Sequence, residues 1–350
     1  MSPSLTARRL HAQGIIAPVA ASPADAVRHL GAMQAQDYHA ALWAVGLRSQ
    51  GATLAQVEEA IERREIVRTW PMRGTLHLLA REDVRWMVAL LAPRVQAANA
   101  ARIARDLGLD AAALTRGRHV VEKALAAGTP VTRSALYACM DAAGFASAHQ
   151  RGLHLLNWLA HEGAICQGPR HGKQPTFVLM DAWVPPSAPL GRDEALHRLA
   201  LRYLQGHGPA TAADLAWWSG LTQKDALRAL ELAGPALDKE TRDGTTWWWR
   251  ADAPIPARSR AIHLLPAFDE YLIGYRDRTP VLDAPHTRRV IGINGLVAAT
   301  AIVQGRVVAT WKRAGDTDVA LAPLRALADA EHEGIQRAAQ RRRRFLGGAR

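Results

Sequence analysis

The chain has 350 residues, 49% hydrophobic and 22% charged, with 44 Lys and Arg against 32 Asp and Glu. That is enough for two or more cores and excludes a disordered or fibrous chain. The net charge of +12 and the pI of about 10.5 point to a polyanionic partner, nucleic acid ahead of an acidic membrane surface, and two cysteines, Cys139 and Cys166, make neither a disulfide framework nor a zinc site.

The first residues, MSPSLTARRLHAQGI, carry no apolar h-region, so no signal peptide is expected. No apolar run is long enough to span a bilayer, so no membrane association is expected, and the cytoplasm, close to the nucleoid, is the expected compartment. Residues 23–33 carry a helical pattern with Ser22 as cap and Ala26, Leu30 and Met33 on one face. Gln34-Ala35-Gln36 follows. In an extended segment positions i and i+2 point to the same side; on a helix they diverge by about 200°. If the helix stops near Met33, two primary amides converge and can hold a water between them. If it continues, Gln34 ends a helix and Gln36 is loop surface. Residues 54–64 read as a further helix capped by Thr53, and 67–70 and 75–79 as strands around the turn Pro71-Met72-Arg73-Gly74. This region reads as an irregular copy of the units that come next, with the glutamines and HAALWAVGLRSQG inside it.

The middle of the chain is an approximate repeat, over about 118–184 and 192–251. Each unit opens with an amphipathic helix, turns at TPVTRSAL or GPATAADL, continues in two helices, and ends in alternating segments around a turn. Thr132, Thr211 and Thr222 read as N-caps. Three helices and a two-stranded ribbon describe a winged helix. From about residue 259 short β-branched runs separated by Pro, Gly and Asn predict a small β-barrel, with Gln304-Gly305 as a hairpin turn. A helix over 321–340 and a basic tail, Arg341–Arg344, close the chain. The expected fold is thus α+β: three tandem winged-helix motifs followed by a small C-terminal β-barrel. The expected domains are 1–115 with the glutamine pair, 116–190, 191–257, and 258–350.

There is no Walker loop, HExxH, paired CxxC, GxGxxG or GxSxG, which argues against nucleotide-driven, zinc-dependent and serine-hydrolase chemistry; no metal and no cofactor are expected. Trp247-Trp248-Trp249 offers stacking surface, although alternate residues of a wing strand pack under their own helices. His77, taken alone, reads as a hydrogen-bonded structural histidine. Asp269-Glu270 reads either as a carboxylate site or as a turn after Pro266.

Five segments in order, MQAQDYHAALWAVGLR, TWPMRGTLHLL, GPAT…WWSGL, LLPAFDEYLIGYRDR and NGLVAATAIVQGRVVATWKR, resemble the winged-helix proteins of the AlkZ/YcaQ type. These are bacterial DNA glycosylases that remove alkylated purines and unhook interstrand crosslinks. The resemblance covers nearly the whole chain. It places the family's catalytic glutamine–apolar–glutamine motif on Gln34, Ala35 and Gln36; the YcaQ-like branch has aspartate at the last position, so this chain resembles the AlkZ-like branch. The apolar residue here is only alanine, and Asp37 follows it closely.

The resemblance implies a monofunctional glycosylase acting on double-stranded DNA, with no protein partner inferred. An N7-alkylated purine carries positive charge and leaves readily, so the reaction needs a placed water and tolerance of a cationic sugar, which two neutral amide oxygens supply. Asp37 and Asp269 are the candidates for electrostatic support. Arg73, His77, Tyr271, Arg276 and Arg278 are the candidates for DNA or lesion contacts, with Arg73 or His77 expected on the wall of a basic cleft that the glutamines face, between the N-terminal unit and the barrel. The alternative reading is a non-catalytic winged-helix DNA-binding protein, a regulator or a lesion binder.

Overall fold

The structure, a computed structural model, describes residues 4–254, 261–315 and 318–347. Two compact units form, Met1–Glu59 with Leu196–Arg350, and Ala60–Ala195. The expected boundary at 257–258 lies outside the described residues.

Along the chain one order of elements occurs three times: helix, short strand or bridge, helix, helix, hairpin. The first pass is Pro23–Leu30, Met33–Gln34, Tyr38–Arg48, Leu54–Glu62 and the hairpin Ile66–Met72/Thr75–Ala80. HAALWAVGLRSQG is the helix that completes this copy, so the copy is regular in its order. The second pass is Ala111–Leu125, Val131–Thr132, Arg133–Ala142, Arg151–His161 and Ile165–His171/Gln174–Leu179. Its short strand pairs with the hairpin through Val131 to Phe177 and Thr132 to Thr176. The third is Arg192–His207, Ala212–Ser219, Gln223–Ala233 and Leu237–Arg242/Thr245–Arg250, with Ala210 bridging Trp248 where the others have a strand.

Local chemistry explains the starts of these helices. Ser22, Thr132, Thr211 and Thr222 each accept a backbone N–H three residues on, and Pro23 occupies the first turn where its missing N–H costs nothing. Thr53 and Gln56 bond reciprocally in the same way. Arg73 and Gly74 turn the first hairpin, both with positive φ (55° and 69°).

In the Ala60–Ala195 unit the core gathers Ile103, Val121, Leu136, Met140, Leu155 and Phe177, and Trp70 stacks on Phe177 at 6.4 Å. Its longest helix, Val84–Leu107, carries Pro93 inside it and has no counterpart in the sequence reading. In the other unit Trp248 is buried, while Trp247 and Trp249, on the opposite face of their strand, lie beneath the guanidinium groups of Arg9 and Arg8.

The C-terminal region corrects the barrel expectation. Ile262–Leu265, Ala299–Val303, Arg306–Ala314 and Asp318–Pro323 form a four-stranded antiparallel sheet in that order, and no pairing between its outer strands closes it among the described residues. Gln304-Gly305 is the two-residue turn of its central hairpin, at φ 49° and 82°. The last helix is Asp329–Phe345, and Leu321 lies in the edge strand. Arg341–Arg344 is therefore helix, not tail: Arg341 donates to Leu47 O at 2.6 Å, Arg342 lies over Trp311, and Arg343 pairs with Asp318. Gly334 brings this helix against Ile262, where a Cβ would clash.

Two buried histidines set an acid limit. His161 and His263, one in each unit, are 5% and 6% exposed, and burial lowers each to about 4, with the charges of Arg341 and Arg48 adding to the effect at His263. The unfolded value is about 6.5. Between these values the unfolded chain binds more protons, so the contribution is intact above about pH 6.5 and is lost as pH falls toward 4, by about 3 kcal/mol for each ring. Urea midpoints are expected to fall steeply across that window; flat stability would show both rings charged in the native state.

Candidate active site

Gly31 ends the Pro23–Leu30 helix at φ 77°, a conformation that glycine adopts without a Cβ penalty. Asp37 starts the next helix by accepting the Ala40 N–H at 3.0 Å. Between these two caps the chain forms no helix: Met33–Gln34 is a short strand and Gln36 lies in a bend. Met33 is in this segment rather than on the helix, which stops three residues earlier than the pattern predicts. Met33 and Ala35 are buried at 1% and 0%, Gln34 is half-buried and Gln36 is exposed. Ala35 thus faces the core between two glutamines that are more exposed than it is.

Two buried carboxylates from one short helix hold this segment. Glu270, at the start of Glu270–Ile273, accepts the Gln34 backbone N–H on Oε1 at 2.8 Å. Its Oε2 accepts from Trp218 Nε1 at 3.0 Å and lies 3.4 Å from His207 Nε2. Asp269 caps the same helix and forms a two-pronged pair with Arg48, at 2.8 and 2.9 Å, with both side chains fully buried. Arg48 is the last residue of the helix that follows the glutamines, and its other donors go to Ala44 O, Gln13 O and Gln13 Oε1. All five of its N–H groups are thereby used. The glutamine segment and the helix after it are fastened to one DEY sequence more than 200 residues away.

The structure sorts the remaining candidates. Asp37 is exposed beside Gln36, with one carboxylate oxygen engaged as a helix cap. Asp269 is spoken for by Arg48 and is 1% exposed. Tyr271 has no exposed surface; its hydroxyl donates to Gly305 O at 2.8 Å and burial pushes its phenol up. Arg276 is exposed, and its backbone N–H is held by Asp214. Arg278 is half-buried, donating to Leu272 O and lying 5.1 Å over the ring of Trp217, itself 45% exposed; burial lowers its guanidinium from the usual value. Arg73 and His77 belong to the Ala60–Ala195 unit. His77 is fully buried, with Nδ1 2.9 Å from Thr75 O and Nε2 3.2 Å from Arg73 Nη2. Nδ1 donates and Nε2 accepts in that arrangement, which is a neutral ring. The sequence reading missed Arg48, His207 and Trp218. Among the described residues no three His, Cys, Asp or Glu side chains are grouped to hold a metal, and no helix is long and apolar enough to cross a membrane.

The profile of the DNA glycosylase AlkZ-like family matches residues 27–345. The chain belongs to the AlkZ-like family of DNA glycosylases. A Streptomyces sahachiroi protein named an interstrand DNA cross-link repair glycosylase is 28% identical over 319 aligned residues, covering 83% of this chain and 82% of its own. The solved structure of Streptomyces sahachiroi DNA glycosylase AlkZ matches with a TM-score of 0.82 at 24% identity, over 100% of this chain and 98% of that one, and shows the fold.

Proposed function

We propose that the protein is a monofunctional glycosylase that hydrolyses the N-glycosidic bond of N7-alkylated purines in duplex DNA, with a water held by Gln34 and Gln36. The observation that supports this is the burial alternation at 34–36, where a buried Ala35 lies between a half-buried Gln34 and an exposed Gln36, the pattern expected of two amides on one side of the chain. Each amide oxygen accepts a hydrogen bond and neither carries charge. A cationic leaving base needs little acid assistance. The demand falls on placing the water and facing an oxocarbenium-like sugar with partial negative charge. The three-fold order of elements supports three winged helices as the DNA-binding frame, and the +12 charge supports affinity for phosphate. The relative's name supports bulky adducts and interstrand crosslinks as further substrates.

The test is release of free base from duplex DNA carrying N7-methylguanine or a bulkier N7 adduct, with excess EDTA present. Release of the alkylated base, leaving abasic sites whose backbone stays uncleaved, is the expected result. Tight duplex binding without release of any N7-alkylated base would favour the non-catalytic DNA binder.

A further inference from the structure

Glu270 stands out among the buried ionisable groups because one of its partners is the main chain of the glutamine pair. The side chain is 1% exposed, and its two oxygens divide their work. Oε1 takes the Gln34 N–H at 2.8 Å across 236 residues of sequence. Oε2 faces Trp218 Nε1 at 3.0 Å and His207 Nε2 at 3.4 Å. His207 is fully buried, with Nδ1 3.1 Å from Tyr203 O, and its ring stacks on Tyr203. A carboxylate so held has little freedom, and the backbone it grips inherits that restriction.

We propose that Glu270 is a positioning residue of the excision site: it fixes the main chain at Gln34 so that the Gln34 and Gln36 amides keep the separation a shared water requires. The inference rests on the reading of those glutamines as the water-holding pair. A neutral amide cannot replace the carboxylate. In Glu270→Gln one oxygen remains, and it serves either Gln34 N–H or Trp218 N–H. The other N–H then faces an NH₂ group. If Trp218→Phe is added, the competing indole N–H is gone, so the remaining oxygen can turn to Gln34 N–H while the new NH₂ lies toward His207.

Three readings are taken on each full-length variant, Gln34→Ala included: single-turnover excision rate, duplex Kd and melting temperature. Glu270→Gln is expected to slow excision by at least about tenfold with Kd close to wild type. Trp218→Phe/Glu270→Gln is expected to regain rate while melting lower still, because it loses a buried ring. A structural role alone would move rate and melting temperature together. Met140→Ala, which opens a cavity in the core of the Ala60–Ala195 unit, is expected to melt lower at wild-type rate. If Glu270→Gln does not fold, Glu270→Asp withdraws the carboxylate by one methylene and carries the same expectation of slowed excision at unchanged Kd. Wild-type excision by either Glu270 variant, with Gln34→Ala inactive, overturns the positioning role and leaves the water-holding reading standing. Wild-type excision by Gln34→Ala overturns that reading instead.

Discussion

Gln34→Ala and Gln36→Ala each lower single-turnover base excision by about 10²-fold or more, while melting temperature and duplex affinity stay close to wild type. The expectation that the fold survives comes from placement. Gln36 is exposed and Gln34 half-buried, so neither truncation opens a cavity, and the bond from Gln34 to Glu270 uses the backbone N–H, which alanine keeps. The loss of rate follows from how one water is held. With one acceptor gone, the water rotates and drifts, and the remaining amide does not fix a line of attack. The double variant should therefore be little worse than the poorer single one, since the two act as a unit. Base release from an N7-alkylated duplex, followed under single-turnover conditions beside a filter-binding isotherm, reads both quantities. Excision by the double variant at the wild-type rate would remove the glutamines from the chemistry.

The features legible in the sequence are those with a local cause. Ser22-Pro23, Thr132, Thr211 and Thr222 announce helices because a hydroxyl immediately before a helical run has one good use, accepting the N–H three residues on. Gln304-Gly305 announces a hairpin because few residue pairs accept two positive φ angles. The extended state of the glutamines could be tied to the end of the preceding helix, though Gly31 was the stop signal and Met33 was drawn into the helix by its apolar spacing. Features set by distant partners were not legible. Arg48 ends a helix in the sequence LRSQG and reads as a surface cation, yet Asp269 lies 221 residues away and buries it. Tyr271 looks like a polar contact for a ligand because nothing nearby in sequence shows its bond to Gly305 O or its burial, whereas His77, whose partner Thr75 is two residues away, is the hydrogen-bonded structural histidine that its local sequence suggests. The barrel expectation failed for a related reason: strand pattern and turn chemistry fix hairpins, while closure depends on whether the first and last strands meet. Here the edge strand Asp318–Pro323 pairs on one side only among the described residues, and its Leu and Ala content reads locally as helix.

Breaking the Arg48–Asp269 pair from one side is expected to cost about 3–5 kcal/mol of folding stability. Arg48→Met leaves the Asp269 carboxylate with no exposed surface and one remaining bond, from the Tyr271 N–H at 2.9 Å. Asp269→Asn keeps the shape but turns an NH₂ group toward a guanidinium that has no acceptor to spare. In both variants a buried charge loses its partner, which is far costlier than the pair is worth against water. Removing both charges together in Arg48→Met/Asp269→Asn should cost clearly less than the two single losses added, because neither orphaned ion then exists. It should still cost something, since Gln13 O, Gln13 Oε1 and Ala44 O lose donors. Urea titration of the four proteins closes the cycle and gives the coupling. Single variants within 1 kcal/mol of wild type would mean that water reaches the pair in solution. Such access would undo the fastening of both flanks of the glutamine segment to residues 269 and 270, and with it the reason for an AFDEYLIGY sequence so far from Gln34.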